Sequence, residues 1–271
     1  MKYLVAIDME GVNYVVGEPY QSILPGLKDY DVAVKEGAKE LNVIIQALYD
    51  CGAEQIYVWD NHSHGHNLDF AHDVDPRAID VGLDRCSIER MNFADKLGID
   101  GVIFLGYHSK EGTLNGVLAH TYSSVGIQYI KLNGKAVGEF FLDSAIATSK
   151  NIPVLMLVSD DKGVMEGKEV SDKLVTVTTK YGTGRNSAVF RDNDELMKDL
   201  YDRTVAAVKA GGIQNELTFP LKLEIRYTRT EHAKEIKDAV LAKYGMKCEY
   251  GEDAHILEVT AEKIEDIKMF L

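Results

Sequence analysis

The sequence predicts an α/β protein: a mixed, largely parallel sheet flanked by helices, with a small β-α-β-α subdomain at the C-terminal end. Three observations carry this. Short apolar runs end in an acid or a histidine, as in YLVAID (3–8), QIYVWD (55–60) and GVIFLGYH (101–108). Buried parallel strands read as such runs, and their carboxyl ends open towards the ligand crevice of an α/β sheet. A helical period separates the first two runs, with apolar residues at Val34, Ala38, Leu41, Ile44, Ile45 and Leu48. After Pro220 the pattern changes to strand, helix, strand and short helix. Strands alternating with helices define the class, and the change of character divides the chain into 1–215 and 216–271.

The elements follow in order. Residues 3–8 form a strand, 10–30 a loop, 30–49 a helix closed by Cys51-Gly52, and 55–60 a second strand, together one β-α-β unit. Residues 61–80 are a polar loop and 85–97 are weakly helical. Residues 101–107 form a third strand, and 125–132 enter a hairpin at Asn133-Gly134, a strong turn signal. A helix follows from Gly138 to about Ser149, then a buried strand at 153–159 ending at Asp160-Asp161, and a half-exposed strand at 174–180. A helix at about 192–210 precedes the tail, where 221–227 and 255–260 are strands and 230–243 and 262–271 helices.

Composition narrows the function. A chain of 271 residues, 45% hydrophobic and 27% charged, can bury a large core without disulfide support. Its three cysteines, Cys51, Cys86 and Cys248, are scattered and form no CxxC pair, which fits a reducing compartment. A net charge of −13 disfavours nucleic-acid binding. The N-terminal apolar run ends in carboxylates and does not read as a signal peptide, and no run approaches the roughly 20 residues of a membrane span. The expectation is a cytoplasmic protein with no nucleic-acid or membrane partner.

Several residues are equipped for chemistry, each with a plainer alternative. Asp8 and Glu10 form a DxE pair whose carboxylates repel unless a cation lies between them; otherwise they are loop acids. WDNHSHGHN (59–67) carries His62, His64 and His66. His62 lies nearest the strand end, where a scaffold can hold a metal ligand; His64 and His66 read as loop residues. Asp60 is either a ligand or an acceptor that fixes a histidine tautomer. His108 closes an apolar strand behind Gly106, and reads as a site residue or as a satisfied core histidine. His120 follows the loop EGTLNGVLAH, and Glu139 opens a helix where the dipole favours an acid. Arg185, in TGRNSA, is an anion or peptide-carboxylate binder, or else precedes a helix capped by Asn186 or Ser187. No GxSxG elbow, P-loop, HExxH or GxGxxG is present, and Cys51 and Cys86 read as packing residues.

Taken in order, AIDMEG, WDNHSH, FLGYHS, GVLAHTYS, NGKAVGE and VLMLVSDD resemble the zinc-dependent D-aminopeptidases. These are self-compartmentalising metallopeptidases of bacteria and archaea associated with D-alanyl dipeptides. The resemblance spans roughly residues 3–190. It implies two zinc ions held by Asp8, Glu10, His62, His108 and Glu139, with Asp8 bridging, and it makes 1–215 the catalytic domain. It places His120 on the catalytic histidine, for which an acid–base or oxyanion role suits the chemistry better than a nucleophile. His64 and His66 match no ligand position.

The implied activity is hydrolysis of short peptides or amino-acid amides, D-residues among them, by a homo-oligomeric ring. The loop at 61–80 and the C-terminal subdomain are candidate interfaces. Three ligand carboxylates offset most of the charge of two zinc ions and leave a Lewis acid for catalysis. Manganese or cobalt also suits such ligands. The competing expectations are a metal-dependent hydrolase of another amide or ester bond, and a non-catalytic metal- or ligand-binding protein. His120 counts against the last, because a pure binding site has no need of a further histidine.

Overall fold

The computed structural model describes residues 1–18, 23–82 and 90–271. Its main sheet has six parallel strands in the order β3-β2-β1-β4-β7-β8. These are β1 (Lys2–Ile7), β2 (Gln55–Asp60), β3 (Ile79–Asp80), β4 (Gly101–Tyr107), β7 (Val154–Ser159) and β8 (Val175–Thr178). Alternate residues serve opposite faces of a strand. Tyr3, Val5 and Ile7 therefore join one core with Ile103 and Leu105, and Leu4 and Ala6 join another with Val102 and Phe104.

The first core is closed by α1 (Tyr30–Asp50) and α5 (Asn193–Ala210). Helix α1 buries Ala38, Leu41, Ile44, Ile45 and Leu48 of the stripe read from the sequence, leaves Val34 half-buried, and buries Ala33 and Gly37 beside them. Helix α5 starts at Asp192, whose carboxylate accepts from the backbone N–H groups of Asp194 and Glu195. The second core is closed by α3 (Glu139–Ser149), by α4 (Asp161–Val170) and by a second, antiparallel sheet.

That sheet has the order β12-β13-β11-β5-β6. It comprises β5 (Ile127–Leu132), β6 (Lys135–Val137), β11 (Leu221–Tyr227), β12 (Glu249–Tyr250) and β13 (Ile256–Ala261), with α6 (Thr230–Tyr244) between β11 and β13. It thus draws strands from both sides of residue 215, and β11 pairs directly with β5. The Asn133-Gly134 turn has positive φ at both residues, 50° and 81°, as the hairpin requires.

The structure departs from the sequence reading in particular places. Helix α4 was not expected, since Gly163 and Gly167 weaken its helical signal. Both lie close against the sheet: a Cβ on Gly163 would sit 1.9 Å from Ser159 Oγ, and one on Gly167 2.4 Å from Leu157 Cδ2. The strand expected at 174–180 is two strands, because the chain turns at Thr179 into β9 (Lys180–Gly184), which pairs with β10 (Ser187–Phe190). No helix starts after Arg185; Asn186 lies in that hairpin's turn and Ser187 opens β10. Of the weak helix at 85–97, only α2 (Ala94–Leu97) is helical among the described residues, and Cys86 lies outside them. The final segment is a 3-10 helix, Ile264–Phe270.

Candidate metal centre

The site forms where β1, β2 and β4 end. Here the backbones of β1 and β4 come unusually close. Asp8 N donates to Leu105 O at 2.8 Å and Gly11 N to Gly106 O at 2.7 Å. A Cβ on Gly106 would lie 2.0 Å from Asp8 O, and one on Gly11 would lie 2.0 Å from Tyr107 O, so only glycine fits either position.

Five side chains from separate parts of the chain meet there: Asp8, Glu10, His62, His108 and Glu139, all at most 5% exposed. Their possible ligand atoms form two groups that share Asp8, each with all atoms within 4.8 Å of one another: Asp8, Glu10 and His62, and Asp8, His108 and Glu139. Glu10, His108 and His120 form a further such group. His62 Nδ1 lies 3.1 Å from both Asp8 Oδ1 and Glu10 Oε2. His108 Nε2 lies 3.5 Å from Asp8 Oδ2 and 3.3 Å from Glu139 Oε1.

The outer nitrogens define the tautomers. His62 Nε2–H donates to Ile23 O at 2.6 Å, and His108 Nδ1–H donates to Ser109 O at 3.0 Å. In the neutral form of both rings the lone pair therefore faces the carboxylates. His108 Nε2 is buried with no hydrogen-bond partner among the described residues. A lone pair turned towards carboxylates and left unpaired suits a cation between them, so this donor set fits a metal.

The electrostatics agree. Burial and the neighbouring Glu10 carboxylate push Asp8 up to about 7, against the pull of His62 and His108. Burial also opposes ionisation of Glu10, yet His62, His108 and His120 hold it well below the ordinary glutamate range. Burial likewise opposes charge on Glu139, but His108, His120 and Arg90 bring it down to about 2. Burial disfavours a charged His108, but Glu139, Glu10 and Asp8 raise it to about 10. With protons alone, these carboxylates draw positive charge onto the imidazoles.

His120 sits apart from this pattern. Its ring stacks on His108, centroids 4.1 Å apart, and its Nδ1–H donates to Leu118 O at 2.8 Å. Nε2 stands 3.6 Å from Glu139 Oε1. Burial and the adjacent His108 lower its pKa below the ordinary histidine value, so it is neutral at pH 7 with a lone pair on Nε2. The site opens into a cavity of about 470 Å³ lined by Asp8, Glu10, His62, His120 and Glu139 among others.

Asp60 touches no histidine ring. It accepts from the backbone N–H of His62, Asn67 and Leu68 and from Asn67 Nδ2, and so fastens the loop that presents His62. The tautomer role considered for it falls to Ile23 O and Ser109 O. Arg185 lies outside the cavity lining. Its Nη1 donates to Ala119 O, and its own carbonyl accepts from Leu118 N at 2.7 Å, so it steadies the segment ahead of His120. His64 lines the cavity mouth, whereas His66 is exposed with Nδ1 4.0 Å from Asp80. Neither joins a ligand group among the described residues.

Other contributors escaped the sequence reading. Lys180, wholly buried, donates from Nζ to the carbonyls of Glu10, Val12 and Val15 at 2.6, 2.5 and 2.5 Å. Burial pulls its pKa down to about 7, opposed by Asp160, Glu40 and Glu10. Three acceptors need three N–H donors, so the geometry favours the ammonium form. Its only trace in the sequence is a lysine closing an apolar, alternating run. Tyr122 N donates to Glu139 Oε1 at 2.7 Å, and Asp160 joins Val117 N to the start of α4 through Gly163 N. Backbone donors of this kind leave no signature in residue type.

A parallel α/β sheet whose strand ends gather carboxylates and histidines beside a cavity has the form of a metal-dependent enzyme. The chain belongs to the D-aminopeptidase family of peptidases, whose family model matches residues 1–250. It is 26% identical over 224 residues to the D-aminopeptidase of Bacillus subtilis (strain 168), covering 81% of this chain and 78% of that protein. It superposes with a TM-score of 0.86 on a solved structure described as the Zn-dependent D-aminopeptidase DppA from Bacillus subtilis, a self-compartmentalizing protease. That match has 22% identity and covers 100% of this chain and 95% of the other.

Proposed function

We propose that this chain is a dinuclear-zinc aminopeptidase that releases N-terminal residues, D-residues included, from short peptides or amino-acid amides. One observation carries the reading: two candidate ligand groups share Asp8 at the strand ends, with His108 Nε2 buried between acids and, among the described residues, without a hydrogen-bond partner. Asp8, Glu10 and His62 would hold one ion, and Asp8, His108 and Glu139 the other, with Asp8 common to both. Three carboxylates against two divalent ions leave a residual positive charge. Bound zinc supplies the Lewis acid that polarises the scissile carbonyl.

The chain's own contribution centres on His120. With Nδ1–H tied to Leu118 O, Nε2 is free to take a proton from the attacking water and return it to the leaving amine. Stacking on His108 and the anchoring of Ala119 O by Arg185 hold the ring in place. Family membership and the described relative support a homo-oligomeric ring for this chain too. Cys51 and Cys248 are free thiols, in keeping with a cytoplasmic location. No helix among the described residues is long and apolar enough to cross a membrane.

Metal analysis combined with a peptidase assay tests the reading. About two zinc ions per chain, with chelator-sensitive release of D-alanine from D-alanyl-D-alanine, is the expected result. His120→Ala should keep the metal and lose roughly 10²–10⁴ in turnover. An unchanged rate would remove His120 from catalysis. Full metal content with no turnover on any peptide or amide would favour a binding protein.

A further inference from the structure

Among the described residues, the charged side chains lining the cavity are carboxylates apart from its histidines and one guanidinium. Asp8, Glu10, Asp60 and Glu139 line it, and Arg90 is the only Arg or Lys among the described lining residues. Arg90 is 8% exposed, and its guanidinium lies 4.5 Å over the Tyr122 ring and 5.1 Å over the Trp59 ring. Nε donates to Asp143 Oδ1 at 2.7 Å and Nη2 to Asp143 Oδ2. This pairing occupies one edge of the planar fork and does not engage Nη1. Asp143 is itself shared: Tyr107 OH donates to it at 2.8 Å and Tyr122 OH at 3.3 Å. The carboxylate thus orients the fork while two hydroxyls share its charge.

Resting on the aminopeptidase reading, we infer that Arg90 is a specificity-determining residue that receives the free C-terminal carboxylate of a dipeptide substrate. Its position matches that task. Tyr122 lies beneath the guanidinium, and the same residue's N–H bonds to Glu139, so Tyr122 links the cation to a candidate metal ligand. In a dipeptide the terminal carboxylate lies one residue beyond the scissile carbonyl, about 3.5 Å of extended chain, and so reaches the part of this same cavity next to the metal ligands. A carboxylate on a guanidinium makes charge-assisted hydrogen bonds with a fixed plane. Amides and longer peptides bring no charge to this point, whereas a dipeptide does. Ser123 and Ser124 line the same cavity and offer hydroxyls to the same group.

Steady-state kinetics of the zinc-loaded enzyme on D-alanyl-D-alanine and on D-alaninamide test this. The variants are Arg90→Lys, which keeps the charge and loses the fork, and Arg90→Met paired with Asp143→Leu, which leaves no buried carboxylate unpaired. Circular dichroism establishes which of them fold. The dipeptide-to-amide ratio of kcat/KM should fall about a hundredfold, chiefly through KM for the dipeptide. A parallel loss on both substrates would make Arg90 a purely structural residue and overturn the inference, as would an unchanged ratio. Zinc-loaded wild-type protein inert on both substrates would instead overturn the aminopeptidase reading itself.

Discussion

The two ligand groups share Asp8 but are built differently. The His108–Glu139 side stands on regular structure: His108 follows β4 directly, and Glu139 is the first residue of α3. Their supports are backbone groups, the adjacent Ser109 carbonyl and the Tyr122 N–H. The Glu10–His62 side stands on irregular chain. Glu10 lies on the turn after β1, and His62 on a loop with positive φ at Ser63 and His66. That side is fastened by side chains gripping backbone: Lys180, some 165–170 residues away, holds the carbonyls of Glu10, Val12 and Val15, and the nearby Asp60 holds the loop at 62–68. One half is rigid by element and the other by tethers, so the halves should fail in different ways.

The largest effect should come from the residue common to both. Asp8→Asn keeps the volume and removes the shared charge, and should strip both ions and lower turnover roughly a thousandfold or more. His62→Ala and His108→Ala should each leave about one ion, on the opposite side. Metal content per chain reads all of these. If His62→Ala also empties the His108 side, the halves are one cooperative site and the comparison fails.

The rigid half was the more readable in the sequence. The apolar runs place Asp8 and His108 at strand ends and the helix read from Gly138 places Glu139 at its start, while their grouping as ligands came from the family resemblance. The tethered half was readable only as ligand types. Nothing in WDNHSHGHN says that Asp60 would spend its carboxylate on backbone N–H groups, or that Ile23 O would orient His62. Lys180 was absorbed into a strand because its partners are backbone carbonyls about 165–170 residues away. Arg90 lay in a stretch read as weakly helical, and its partner Asp143 on a helix face. Side chains leave a pattern in sequence; the carbonyls they hold do not.

A smaller effect should separate tether from ligand. Lys180→Met leaves three buried carbonyls without their donor, which should cost about 2–4 kcal/mol in unfolding free energy. Its sharper consequence is local. In a cobalt titration of the metal-free protein, one binding step should weaken about 10–100-fold while the other stays in place. Parallel weakening of both steps would mean that Lys180 supports the fold at large rather than the Glu10 side.

The smallest effect concerns Glu40, behind the same tethered segment. Wholly buried, it accepts from Asn13 N at 2.8 Å through Oε1, while Oε2 has no partner among the described residues. Burial raises its pKa to about 8, against the Asn13 N–H and Lys180. The folded state therefore holds a proton that the unfolded chain releases near pH 4.5. Stability from this group is full below pH 4.5, declines at up to about 1.4 kcal/mol per pH unit as pH rises, and is lost through about 8. Glu40→Gln keeps the acceptor for Asn13 and cannot ionise. Urea unfolding of both proteins, each loaded with the same metal, should show the variant gaining on wild type as pH rises from 5 to 9. If the variant is instead weaker across that whole range, Glu40 is ionised and acts as the counter-charge of Lys180. The tether would then be an ion pair rather than an ammonium held by carbonyls alone.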